Sequence, residues 1–519
     1  MPFPSKKVKF LYLSFLKHDL KAGITVFFVA LPLCLGISLA SGAPVYSGLL
    51  AGMIGGLIVS VISGSQLSVS GPAAGLTAIS AAAIVQLGGI DVFFLSVALA
   101  GILQILLGTF RLGNFTHFIP SAVIKGMLAA IGIILISKQV PPLIGYNKPE
   151  FWSNELFNII TFHHLFSNVR DLYASTSAGA IVIAGVSFAV IMGWNRFLAR
   201  KIKFIPSAFL VVLLGMLMPL LFNHYIPSLK LNAAQFVNIP AHVFSAIRVP
   251  SLHVLWSNRE IWKYGVVICF VASLETLLSV EAIDKLDPYN RITPQNRELI
   301  AQGTGNFLSG LLGGIPITAV IVRSSANAEA GARTWLAAFV HGLLLVILTL
   351  FAVSVINMIP YCVLAVILIR TGYNLAKPRM IAGIYKQGRE QFMPFLFTVV
   401  AILFTDLLVG VLIGLVYSIY FIVKHTYRAG FALHVQAEGH HAHYTIDLAL
   451  NVSFLNKKRF IDLLEQIPEY SVVEIDGSKS IYIDHDILEI FQEYKSKAHL
   501  RHIQLVLNKI PEVQTIGLH

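Results

Sequence analysis

The chain has 519 residues, of which 56% are hydrophobic and 12% charged, with a mean hydropathy of +0.75. Such values exclude a soluble globular protein and point to a polytopic membrane protein. The formal charge of +12 would suit a nucleic-acid binder, but its distribution excludes one: Lys6, Lys7, Lys9, Lys17 and Lys21 precede the first apolar segment, and Arg196, Arg200, Lys201 and Lys203 lie between two later ones.

In chain order, the apolar runs predict spans at 21–40, 45–63, 71–87, 92–110, 119–138, 175–194 and 204–222, then at 263–283, 298–313, 322–331, 334–357, 359–372, 391–405 and 407–425. The first run has no cleavage pattern and stays as a helix. Counting forward from a cytoplasmic amino terminus puts the basic connections on one side, so both termini are expected in the cytoplasm. The long connections at about 140–174 and 223–262 then lie outside. Seven spans per half force the halves into opposite orientations. Cys34, Cys269 and Cys362 sit far apart in apolar runs, so no disulfide, metal or other cofactor is expected.

The third segment of each half is broken. Leu67–Ser70 reads as extended, and Pro72 after Ser70 and Gly71 reads as a helix start part-way through the membrane. In the second half the β-branched run from Ile317 to Val322 gives way to "SSANAEAGA". Paired broken segments at matching positions are the sequence signature of a transporter binding site. If the two half-helices start face to face, their free N–H groups and positive dipole ends converge on one point and attract an anion. Arg323 at the second start adds a full charge. The competing readings of Arg323 are a buried ion pair with Glu275 and snorkelling to the interface.

The stretches "KAGITVFFVALPLCLGISLASGAPVYSGLLAGMIGG", "LSVSGPAAGL", "SLETLLS" and "GIPITAVIVRSSANAEAGARTWLAA" together resemble the SulP family of anion transporters, which includes sulfate permeases, bicarbonate transporters, pendrin and prestin. The resemblance implies an all-α membrane domain of fourteen segments in seven-plus-seven inverted repeats, with a core moving against a gate as in nucleobase permeases. It also implies a homodimer and a small cytoplasmic α/β STAS domain. The transport domain is then residues 1–427, with repeat one at about 20–222 and repeat two at about 263–425, and the STAS domain is 428–519. Within the tail, "HYTIDLAL", "SVVEIDGS" and "HIQLVL" read as strands, and "KKRFIDLLEQI" and "HDILEIFQEYKSKA" as amphipathic helices. The stretch where switching STAS domains carry a serine or threonine reads "YIDHDILEI" here, with neither.

The implied function is secondary active transport of a small inorganic oxyanion, bicarbonate or sulfate, by alternating access with a proton or sodium ion, in a bacterial inner membrane. The anion site is expected from Arg323, Ser70, Gly71, Ala73, Ala74, Val322 and Ser324. Glu275, with Ser279 one turn later, is the expected cation-coupling pair. Leu33 and Ile37 stand where many sulfate-transporting relatives carry an amide and an aromatic, which favours bicarbonate. Ala319, Val320 and Ile321 offer only backbone to a sodium ion. Alternatives are a passive anion channel or exchanger, a motor-like anion-binding protein, or a nucleobase permease. Asp406 reads as a helix cap, and the "HHAHY" tract from His440 as incidental rather than metal-binding. No nucleophile or phosphate-loop motif supports an enzyme.

Overall fold

The computed structural model describes residues 6–113, 120–145, 176–198, 206–240, 253–254, 258–405, 407–438 and 441–512. Most of the connection at 140–174, part of that at 223–262, and Arg200, Lys201, Lys203, Asp406 and His440 therefore lie outside the described residues. The chain forms two compact units, residues 1–414 and 415–519.

The first unit is built from helices α1 (Lys6–Ala40), α2 (Val45–Ile54, continued by a π-helical turn Gly55–Val59), α3 (Thr77–Gln86), α4 (Ile90–Thr109), α5 (Ser121–Leu143), α6 (Ala178–Gly193) and α7 (Ser207–Tyr225). The second set is α8 (Arg259–Asp284), α9 (Gln295–Leu311), α10 (Ile321–Glu329), α11 (Leu336–Phe351), α12 (Tyr361–Leu375) and α13 (Arg389–Phe404), and α14 (Leu407–Arg428) runs across the boundary between the two units. Eight helices among the described residues are long and apolar enough to cross a membrane, and α3 and α11 are shorter apolar ones. An amphipathic helix, Pro378–Lys386, links α12 to α13.

Inverted symmetry is written into local chemistry. Pro44 and Pro294 stand at the N-caps of α2 and α9, and Pro120 and Pro360 at those of α5 and α12. Proline suits such entries because its fixed φ and missing N–H cost nothing there. Glycines mark the repeat-related contacts. A Cβ on Gly56 of α2 would lie 2.5 Å from the Gly342 Cα of α11, and a Cβ on Gly303 of α9 would lie 2.7 Å from the Gly101 carbonyl of α4. Gly132 of α5 and Gly372 of α12 meet each other in the same way. Small residues let apolar helices approach where no hydrophobic effect drives them together.

Between the repeats' halves lie two short strands, β1 (Ser70–Pro72) and β2 (Ile317–Ala319), paired antiparallel with Ser70 opposite Ala319, Gly71 opposite Thr318 and Pro72 opposite Ile317. This corrects the helix start read at Gly71 and Pro72: strand pairing takes those residues. A single 3-10 turn (Ala74–Leu76) intervenes before α3 begins at Thr77. The second half-helix starts at Ile321, as its composition led one to expect within a residue.

Non-helical backbone in the membrane must find partners within the protein. Here α9 supplies many of them. Glu298, Gln302, Asn306 and Ser309 recur at helical spacing and are fully buried. Glu298 accepts hydrogen bonds from Ser63 Oγ and, at 3.0 Å, from Gln302 Nε2, which also donates to Ser70 Oγ at 2.7 Å. Asn306 brackets Ile317, accepting from its N–H at 2.6 Å and donating to its carbonyl at 2.9 Å. Ser309 donates to the Ile315 carbonyl at 2.8 Å. From α10, Ser324 Oγ accepts from Val69 N–H at 2.8 Å and Asn327 donates to the Leu67 carbonyl at 2.9 Å, while Thr276 of α8 accepts from Ala319 N–H at 3.2 Å.

The second unit carries a four-stranded sheet of β3 (Phe431–Glu438), β4 (His441–Leu448), β5 (Val472–Asp476) and β6 (Gln504–Asn508), in that spatial order, with the first pair antiparallel and the others parallel. Helices α15 (Lys457–Gln466) and α16 (His485–Ala498) are the crossovers. Ile446, Val473 and Ile475 pack with Phe460 and Phe491, whose rings meet edge-on at 5.2 Å. Asp484 caps α16 through the Asp486 N–H at 3.1 Å.

The α9 stripe yields a stability prediction. Asn306→Ala leaves the Ile317 N–H and carbonyl unpaired, each worth about 1–3 kcal/mol when buried. Chemical unfolding in micelles is expected to show a loss clearly larger than for Ser309→Ala, which orphans one carbonyl. Equal losses would remove Asn306 from this role.

Candidate functional site

The two half-helix starts open onto one cavity, whose empty space of about 610 Å³ includes open solvent. One side is formed by Ala74 and Gly75 before α3, by Val320, Ile321 and Val322 at the start of α10, and by Glu275, Leu278 and Ser279 of α8. Leu33 and Ile37 of α1, Leu128 and Ile131 of α5, and Thr371 and Leu375 of α12 complete it. The N–H groups of Ile321, Val322 and Arg323 belong to the first turn of α10, where no helical acceptor precedes them.

Arg323 is absent from the wall. It is fully buried, the largest such side chain among the described residues, and sits behind β1: a Cβ on Gly71 would lie 2.2 Å from its Nη1. Only glycine leaves room for the guanidinium at that point. Its surroundings include the Cys34 thiol and His341 of α11. None of its three nitrogens meets an oxygen or nitrogen acceptor. Thr318 stands opposite Gly71 in the strand pair and so shares its face, and its hydroxyl is also unpartnered. The ion pair with Glu275 does not form.

Glu275 is on the wall. Its carboxylate meets the Gly75 N–H, and a Cβ on Gly75 would lie 2.6 Å from Oε2, which has no further partner. A protein carboxylate thus stands at the entry to α3, beside the place where the dipole of that half-helix favours negative charge.

Of the expected site residues, Ala74, Val322, Glu275 and Ser279 line the cavity. Gly71 touches Arg323, and Ala73 is buried between strand and turn. Ser70 and Ser324 have their hydroxyls engaged, the first with Gln302 and the second with Val69 and Val320. Sequence reasoning missed three residues. Glu298 and Gln302 were detectable as an i, i+4 polar pair in an apolar run. His341 was not: a lone histidine carries no pattern. Its Nδ1 lies 3.2 Å from the Ala338 carbonyl, an acceptor only, so Nδ1 carries the hydrogen and Nε2 is left unpartnered.

The arrangement can hold an anion by amides rather than by cationic contact. At an effective dielectric of about 20, two unit charges about 8 Å apart interact by about 2 kcal/mol, so a buried guanidinium need not touch an anion to favour it. An ionised Glu275 would oppose it.

Residues 16–398 match the sulfate permease family. The chain is 26% identical over 408 residues to the bicarbonate transporter BicA of Picosynechococcus sp., covering 77% of this chain and 69% of that one. Its fold is similar to the transmembrane domain of a cyanobacterium bicarbonate transporter BicA, with a TM-score of 0.63 at 24% identity over 78% of this chain and 97% of that one. It is also similar to the murine Solute Carrier 26 family member A9 anion transporter in the inward-facing state, with a TM-score of 0.74 at 16% identity over 98% and 89% of the two chains.

The wall assignment is checked by thiol labelling. Single cysteines at Ile321 or Val322 are expected to react with a water-soluble maleimide, and one at Ser324 is expected to stay unlabelled, the native cysteines being buried. Labelling at Ser324 with none at Val322 would mean that another face of α10 lines the cavity.

Proposed function

The chain belongs to the sulfate permease family of integral membrane anion transporters, and on that premise we propose that it is a secondary active transporter of a small inorganic oxyanion, bicarbonate or sulfate, coupled to a proton or sodium ion through alternating access. The supporting observation is the division of charge at the cavity: a carboxylate on the wall and an arginine behind it. An anion entering beside an ionised Glu275 meets like charge in a poorly solvated place. Neutralising Glu275 with a proton, or pairing it with a cation, removes the repulsion and frees the Gly75 N–H. Loading of anion and cation is then coupled by electrostatics alone.

Direction follows from the membrane potential. Concentrating a monovalent anion against an inside-negative potential costs about 2.3 kcal/mol per 100 mV, so at least one positive charge has to enter with it. Arg323 cannot serve, since it stays protonated and stays with the protein. Ser279, one turn from Glu275, offers a hydroxyl to either guest. Ala74 and Val322 bring the amides; Gly71, Ala73, Ser70 and Ser324 hold the half-helix starts in place around Arg323. Apolar Leu33 and Ile37 favour bicarbonate over sulfate, because a dianion needs more donors than this wall has.

We place both termini in the cytoplasm of a bacterial inner membrane, take residues 428–519 as a STAS domain on its strand and helix alternation, and take the protein as a homodimer. The Asp484-His485-Asp486 stretch has no serine or threonine, which argues against a phosphorylation switch at that place.

Uptake of labelled bicarbonate and sulfate into proteoliposomes, with sodium and proton gradients imposed separately, tests the proposal. Glu275→Gln is expected to abolish gradient-driven accumulation while sparing some anion exchange, because the neutral amide mimics the loaded state. Accumulation at the unmutated level would overturn the coupling role. Arg323→Ala is expected to weaken anion binding about thirtyfold, in line with about 2 kcal/mol for a charge acting across about 8 Å at an effective dielectric of about 20.

A further inference from the structure

The cavity wall has few groups that could replace the water around a compact, strongly hydrated ion. No cationic side chain lines it, and its polar side chains are Glu275, Ser279 and Thr371. Thr371 already donates its hydroxyl hydrogen to the Ile367 carbonyl at 3.0 Å, and Glu275 repels an anion. That leaves Ser279 and the half-helix amides, all on the side of α8 and α10. The lining from α1 and α5 is wholly aliphatic, and α12 adds Leu375. Buried charge needs hydrogen bonds and buried apolar surface needs apolar company, and this lining offers few donors beside much aliphatic surface.

We infer that the cavity takes short-chain aliphatic monocarboxylates, with the carboxylate at the amides of α10 and Ser279 and the alkyl body against Leu128, Ile131 and Leu375. This rests on the anion-transport reading of the same site and names a substrate class for it. One negative charge matches the small donor set, and the aliphatic lining offers contacts to a hydrocarbon body that bicarbonate and sulfate lack. Each methylene buried is worth about 0.8 kcal/mol, so affinity should rise about fourfold per added carbon.

The test uses the purified full-length protein in detergent at pH 6.5 with sodium present, where these acids are ionised and Glu275 can be neutralised by either cation. Binding of radiolabelled butyrate is measured directly and competed with unlabelled formate, acetate and propionate at constant ionic strength. Labelled bicarbonate and sulfate are measured in parallel. The expected result is saturable butyrate binding with competitor strength rising about fourfold per carbon from formate to propionate. In Ile131→Thr, and independently in Leu375→Thr, the propionate-to-formate ratio should fall at least threefold, a ratio internal to each variant and insensitive to the amount of folded protein. A flat or inverted series with bicarbonate or sulfate still bound overturns the monocarboxylate inference and leaves anion transport standing. Absence of binding by every anion overturns both.

Discussion

The membrane domain depends on one constraint: backbone N–H and carbonyl groups that leave helical geometry within the bilayer have to be paired by the protein. Two breaks are needed to bring helix starts to mid-membrane, and each break releases such groups. Strand pairing of β1 with β2 satisfies some, and the buried amides and hydroxyls of α9 and α10 satisfy others. Asn306 is the clearest case, since one side chain matches both polar groups of Ile317. The polar stripe of α9 thus exists for the strands, and the strands exist to place the half-helices.

Charge is then handled by position. Arg323 is buried against Gly71 and away from the cavity wall, and Glu275 lines the cavity against Gly75. An anion held by amides with a fixed positive charge behind it can leave again, whereas a direct guanidinium pair in a dry site is harder to break. Glycine at both 71 and 75 is the steric condition for this, because a Cβ at either place would run into one of the two charges.

Much of this was legible in the sequence. All fourteen segments, the broken third element of each half, and Arg323 and Glu275 as the chemically unusual residues follow from hydropathy and from the cost of charge in lipid. The strands of the small α/β unit followed from alternation, except β3, which the sequence reading left unassigned. What could not be read was direction. Nothing in "PITAVIVRSS" says that Arg323 points behind β1 rather than into the cavity, because side-chain direction at a helix start depends on what packs there. Ser70 and Ser324 look like ligand groups by type, yet tertiary contacts with Gln302 and Val69 engage them. The π-helical turn in α2, against which the Ser70 carbonyl packs closely at Gly55, carried no local signal.

The central claim is that the half-helix starts hold an anion in the cavity in front of a buried Arg323. Anomalous scattering from crystals grown in bromide tests it most directly, since bromide is monovalent and scatters where it binds. The account predicts a bromide peak in the cavity beside the Ile321 and Val322 amides, lost in Arg323→Ala. Bromide found only at the exposed basic residues between helices, with none in the cavity, would contradict it.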